Sequence, residues 1–192
     1  MTCDLSCPDP LTTIESGAVS TVPQSSLRLH TLTVDALALA DAPDAAVLPP
    51  SVSTTALVQA VSQWDNVRLA PKAQQAVMFL LGEQEIGSVR PDGSVTVPFP
   101  GPICQTLMQT GSSAPSRFQM SNLNLQIEMR TSADVRCAAF LLHLSHLYRA
   151  IIASRSLGTL AALHAEILHL HLPAPLLAHY HHAMEHKADA FA

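Results

Sequence analysis

His179, His182, His186 and Asp189 stand at i, i+3, i+7 and i+10, so a helix of about 3.6 residues per turn carries all four on one face. Imidazoles one turn apart can reach a single transition-metal ion lying about 2.0–2.1 Å from each ring nitrogen. These four are the candidate metal ligands, and a divalent transition metal is the only cofactor the residues suggest. Leu177, Tyr180, Met184 and Phe191 form the opposite face, so the segment is amphipathic with imidazoles as its polar side. Upstream, Glu166 and His169 share a polar face, and His164 and His171 lie one stripe further round. A helical hairpin would carry these groups toward the second stripe. The plainer reading is that His serves as the solvated residue in a chain with only two Lys.

The chain has 192 residues, 48% of them hydrophobic, with 10 Lys+Arg against 15 Asp+Glu and 10 His. That apolar share suffices for a packed core and excludes collagenous, fully disordered and disulfide-scaffold classes. A net charge of −5 with 4% aromatic residues lacks the basic field and stacking platforms of nucleic-acid binding, so no nucleic-acid partner is expected. Asp4, Asp9, Glu15, Asp35, Asp41 and Asp44 stand against Arg28 alone in residues 1–50 and hold the whole net charge. The remainder is formally neutral. Nine of the ten His fall between 143 and 186, so titration near pH ~6.5 would recharge the C-terminal third. The N-terminus shows neither a basic n-region nor an apolar h-region, which makes the cytoplasm the expected location. Cys3, Cys7, Cys104 and Cys137 lack the matched tight pairs of a zinc knuckle and read as plain thiols.

Three segments must position these groups: 1–52, 53–153 and 154–192. Residues 1–52, rich in Ser, Thr, Ala, Asp and Pro and closed by Pro49-Pro50, read as a disordered acidic tail with one short element at Leu27–Leu39. Thr54–Trp64 follows a Ser/Thr cap with Leu57, Val61 and Trp64 at helical spacing. Val67–Leu69 and Ala76–Leu81 read as strands, and Glu83–Arg90 and Ser94–Phe99 flank the turn tripeptide Pro91-Asp92-Gly93. Pro98, Pro100 and Pro102 stop the last of these before a short helix, Ile103–Thr110. Leu123, Leu125, Ile127 and Met129 alternate with polar residues, predicting an edge or near-edge strand. Thr131-Ser132-Ala133-Asp134 resembles a capping box that opens a long helix, Ala133–Ala153, whose one polar stripe is Arg136, Ala139, His143 and His146. Leu157–Leu172 and Pro175–Ala190 then form a helical hairpin. The apolar stretch Leu157–Leu177 contains Glu166, three His and two Pro, so no transmembrane segment is expected there. The predicted class is α+β: an antiparallel sheet of about four to five strands covered by a long helix, with a C-terminal helical hairpin and a disordered tail.

Glu85-Ile86-Gly87-Ser88-Val89-Arg90-Pro91-Asp92-Gly93, then Val95-Thr96-Val97-Pro98-Phe99-Pro100 and Ile103, resembles the E-I/L-G/A-H-x-H-x-D-G-x-x-x-L-P-F-P stretch of the small luciferase-like domain of bacterial proteins and fungal luciferases. Asn124–Met129, Arg130–Val135 and Phe140–Ser145 are similar to that domain's last strand and to its S-x-x-D-V helix with an L-L-x-L-S run. The resemblance covers residues 54–150, about half of the chain, and implies a compact α+β domain. In the fungal luciferases it accompanies oxygen-dependent oxidation of a small enolic pyrone without metal or flavin. Here the two His of the pattern are replaced by Ser88 and Arg90, which removes the imidazoles suited to taking a proton from an enol. Glu85, Arg90 and Asp92 remain as candidate catalytic groups, and charges on a surface hairpin explain them equally well.

Two functions fit these residues. The favoured one is a non-catalytic interaction or regulatory module that docks a partner protein or a second copy through residues 157–191. It predicts an exposed apolar stripe there and no buried titratable group. The alternative is a cofactor-free, oxygen-dependent oxidoreductase for a small apolar enolic ligand. It predicts a cavity lined by Arg90, Asp92 and the inner face of Ala133–Ala153. Metal binding through the His stripe stands third. His182-Ala183-Met184-Glu185-His186 matches the H-x-x-E-H string of inverzincin peptidases, but the pattern is short and no remote glutamate ligand can be named.

Overall fold

Alternating apolar and polar residues, interrupted by Gly82 and by Pro91-Asp92-Gly93, fold as a β-meander. In the computed structural model, which describes residues 47–110, 118–121 and 124–191, the strands are β1 (Val67–Pro71), β2 (Val77–Leu81), β3 (Gln84–Val89), β4 (Ser94–Pro98), β5 (Phe118–Ser121) and β6 (Asn124–Glu128). They form one antiparallel sheet in the order β1-β2-β3-β4-β6-β5. The class is α+β. β5 extends the expected four to five strands to six: it abuts the Gly/Ser/Pro stretch that reads as a plain connection. β6 is the near-edge strand that its alternation predicts. At the β3–β4 turn Gly93 takes φ +83°, in the left-handed region that favours glycine. The Asp92 carboxylate locks the same turn by accepting from the Ser94 amide at 2.9 Å and its hydroxyl at 2.6 Å.

α1 spans Pro50–Ser62, beginning before the expected Thr54. Pro49-Pro50 opens this helix instead of closing a tail. Proline at the first helical position has a preset φ and no N–H to leave unpaired, and the Pro49 carbonyl accepts from Val52 and Ser53 at 3.0 and 3.1 Å. Val47 also bridges Thr131, and the Leu48 amide donates to the Arg130 carbonyl at 2.9 Å. The domain's pairing therefore already includes residues placed in the tail by composition. The expected disorder of 1–46, the element at Leu27–Leu39 and the Cys3/Cys7 pair lie outside the described residues.

α2 runs Gly101–Thr110 and α3 runs Ser132–Ala153. The α3 capping box forms as expected: the Thr131 hydroxyl accepts from the Asp134 amide at 3.3 Å, and the Asp134 carboxylate accepts from the Thr131 amide at 2.8 Å. α3 lies across the middle of the sheet, and Val135, Leu142, Leu144, Leu147 and Ile151 on it are fully buried. It is the only helix among the described residues with the length and apolarity to cross a membrane. It serves instead as the central element of the core.

The hairpin consists of α4 (Leu157–His169), capped by Ser156, and α5 (Ala174–Asp189). The apolar run 157–177 is not one helix, because it breaks between Leu170 and Pro173. Leu160, Leu163, Ile167, Leu176, Tyr180 and Ala183 belong to the same buried cluster as α3 and the sheet. The inner faces of α4 and α5 are thus part of the core and the hairpin is not an appendage, a correction that periodicity within the hairpin does not supply. Tyr180 is fully buried, and its hydroxyl donates to the Leu144 carbonyl of α3 at 2.9 Å. Burial keeps that phenol protonated far above its ordinary range. Tyr180→Phe keeps the ring and loses one donor to a carbonyl, so an unfolding midpoint in urea should report a loss of about 1 kcal/mol.

Candidate functional site

The Ala139, His143 and His146 part of the polar stripe predicted for α3 is covered. Ala139 is buried, and Trp64 at the end of α1 packs edge-on to His143 and His146, with ring centroids 5.4 and 5.8 Å away. Glu166 of α4 closes the other side, its carboxylate 3.2 Å from His143 Nε2. The two imidazoles stack at 6.2 Å. Burial, with His143 adding to it, pushes the His146 pKa down to about 4; the charges of Glu166 and Asp65 and a hydrogen bond to the Asp65 backbone only partly oppose this. A buried titratable group therefore exists, against the expectation for a bland interaction module. Its partners come from α1, α3 and α4, so it acts as a polar joint between helices.

On α5, the side carrying Leu176, Tyr180 and Ala183 faces the core, which turns the His stripe outward and sideways. His179 is within hydrogen-bond distance of Thr106 on α2, at 2.9 Å between Nε2 and the hydroxyl oxygen. His182 and His186 line an open groove of about 340 Å³ with Tyr148, Ile103 and Pro102. Asp189 is exposed at the end of α5. Among the described residues no group of three or more His, Cys, Asp or Glu side chains is arranged to hold a metal ion. His164 of α4 instead meets His181 of α5, Nε2 to Nε2 at 3.2 Å.

α4 presents an exposed apolar stripe. Leu157 and Leu168 are 59% and 47% exposed, and Ala161 and His164 between them are exposed as well. The spacing i, i+4, i+7, i+11 puts all four on one face. Glu166, the one charged residue of α4, points away to His143. A groove of about 350 Å³ runs beside the stripe toward His181, Met184 and Ala188 of α5.

The candidate catalytic residues fall into two separate polar clusters. Glu85 is bound by Lys72 at 2.6 Å, and the same ammonium lies 3.3 Å from the Ser88 hydroxyl. Arg90 donates to the Ser94 hydroxyl at 2.6 Å and lies 3.6 Å from the Asp92 carboxylate. The Asp92 carboxyl titrates below its ordinary range, first because of the Ser94 hydroxyl and amide and then because of the Arg90 charge. Arg90 and Asp92 line an open groove of about 390 Å³ with Val47, Pro50, Met129 and Arg130, and no residue of α3 contributes to that groove. The inner face of α3 is sealed against the sheet where a pocket would lie. A Cβ on Gly87 would overlap Leu142 Cδ2 and stand 3.0 Å from the Thr96 carbonyl oxygen. Since Gly87 points to α3, its neighbour Ser88 points to the opposite face of the sheet.

Sequence reasoning carries His164 and Glu166 toward the second His stripe, but it misses the His143–Glu166 and His164–His181 pairs, reads Trp64 only as a helix-face residue and does not name His181. The one available signal is that Trp64 ends an amphipathic helix and must rest on something. Comparison with family models, with curated proteins and with solved structures finds no match to this chain.

Proposed function

We propose that this chain is a non-catalytic interaction module of the luciferase-like α+β kind, and that its docking face is the outer stripe of α4, which receives a second copy of the chain. The observation that carries this reading is the stripe itself. Leu157, Ala161, His164 and Leu168 bear no formal carboxylate or ammonium, so a charged partner face gains nothing there and an uncharged apolar helix fits. The chain's own α4 is such a face. In an antiparallel two-fold pairing Leu157 of one copy meets Leu168 of the other, and small Ala161 meets large His164, which is the self-complementarity an isologous interface requires. The oxidoreductase alternative receives less support. Its ligand space between the sheet and α3 is filled by core side chains, and Glu85, Arg90 and Asp92 are each engaged by neighbouring charges or hydroxyls.

Light scattering on the full chain tests the reading. The wild type should have twice the chain mass, and Leu157→Glu/Leu168→Glu should be a monomer with the wild type's helical circular dichroism, its self-affinity weakened about a hundredfold or more by two charges at the centre of the face. A wild type that stays monomeric at high concentration, or a variant that dimerises equally well, overturns it.

A further inference from the structure

We propose a second site on the hairpin: His164 of α4 and His181 of α5 form a two-imidazole chelate for a borderline transition-metal ion such as Zn²⁺, Co²⁺, Ni²⁺ or Cu²⁺. Two ring nitrogens each about 2.0–2.1 Å from one ion at a tetrahedral angle stand about 3.3 Å apart, and a narrower angle brings them closer. The two Nε2 atoms already stand 3.2 Å apart, with ring centroids at 5.1 Å and planes at 76°. An ion therefore enters without moving either helix. Without metal, the contact requires that one Nε2 carry the hydrogen and the other accept it; with metal, both lone pairs point at the ion and each Nδ1 keeps its hydrogen.

His164 is exposed and His181 half-buried, so the ion has a route in from solvent. The two imidazoles are the protein ligands, and water completes the shell. The two imidazoles come from different helices, so the ion ties α4 to α5 and adds its binding free energy to the folded hairpin. This site differs from the stripe His179, His182, His186 and Asp189, whose first member is engaged with Thr106. It needs only one copy of the chain.

Zinc chloride titrated into the full chain, followed by calorimetry and by thermal unfolding, decides the matter. The expected result is one ion bound and a midpoint that rises with zinc. His164→Ala and His181→Ala should each weaken binding about tenfold or more and remove the rise, because one imidazole alone cannot chelate. In each variant the rise is read against that variant's own metal-free midpoint. His179→Ala/His182→Ala/His186→Ala should bind zinc as the wild type does. Unchanged zinc binding in the two pair variants, or its loss in the triple variant, overturns the proposal. His181 lies outside the α4 stripe, so His181→Ala should lose the zinc effect while keeping the wild type's mass in light scattering, and failure of self-docking and failure of the metal site are read separately.

Discussion

Gly87→Val should lower the stability of the domain by about 3 kcal/mol, at the upper end of what overpacking a core commonly costs. The added carbons have nowhere to go: a Cβ would overlap Leu142 Cδ2 and stand 3.0 Å from the Thr96 carbonyl oxygen, and Leu142 is fully buried. Gly87→Ala should show the same effect in milder form. Leu142→Ala alone leaves a cavity and costs about 2–5 kcal/mol. The double variant Gly87→Ala/Leu142→Ala should be more stable than the sum of the two losses implies, because the new methyl fills part of the void. Urea midpoints of the four proteins give the coupling. Additive losses would mean that β3 and α3 are not in contact at this point.

The second large effect is on acid stability. His146 has a folded pKa near 4 against about 6.5 in an unfolded chain. Between these values the unfolded chain binds a proton that the folded one refuses, so stability falls as pH drops from ~6.5 to ~4 and levels off below for this group. A difference of about 2.5 units corresponds to a loss on the order of 3 kcal/mol. The groups facing this ring are His143 on α3, Glu166 on α4, and Trp64 and Asp65 at the end of α1. Asp92 acts in another window: its folded pKa is lowered below 3.8, so its contribution is present above that value and lost only at lower pH. His146→Gln keeps a donor for the Asp65 backbone and cannot take up the proton. Its urea midpoint should therefore lose most of the slope between pH 6.5 and 4. Trp64, the only tryptophan, packs on the ring and reports each transition by its emission. Identical slopes in the two proteins would contradict the assignment.

Much of the fold can be read in the chain because its signals are local. The period-2 alternation of β6, the Pro91-Asp92-Gly93 turn and the Thr131/Asp134 box each lie within a few residues, and each forms as expected. The misreadings share a different cause. The α3 stripe of Arg136, Ala139, His143 and His146 looks solvated because imidazoles are polar. Yet Glu166, twenty residues and a loop away from His146, and Trp64 on α1 cover it, and only the packing of three helices brings them together. Pro49-Pro50 looks like a stop because proline breaks helices, but at a first turn it starts one. The hairpin looks like an appendage because its amphipathic period says which face is apolar and not what that face rests on. Gly87 sits in the strand as one permissive residue among others. Its role becomes visible only with Leu142 beside it.

The candidate sites follow the same division. His179, His182 and His186 share a face as their spacing requires, but contact with α2 fixes their surroundings. An exposed apolar stripe, which the module reading requires somewhere on residues 157–191, exists on α4, but packing and not spacing decides that Leu160, Leu163 and Ile167 are buried while Leu157 and Leu168 stay exposed. The His164–His181 pair depends on the angle at which α4 and α5 close, which no periodicity encodes.

Amide hydrogen exchange of the wild-type chain, measured across a hundredfold range of protein concentration, tests most directly whether this protein works through the outer face of α4. Amides of Leu157–Leu168 should exchange more slowly as concentration rises, while those of β3, already protected inside the sheet, should not change. Exchange in α4 that is independent of concentration would contradict the account.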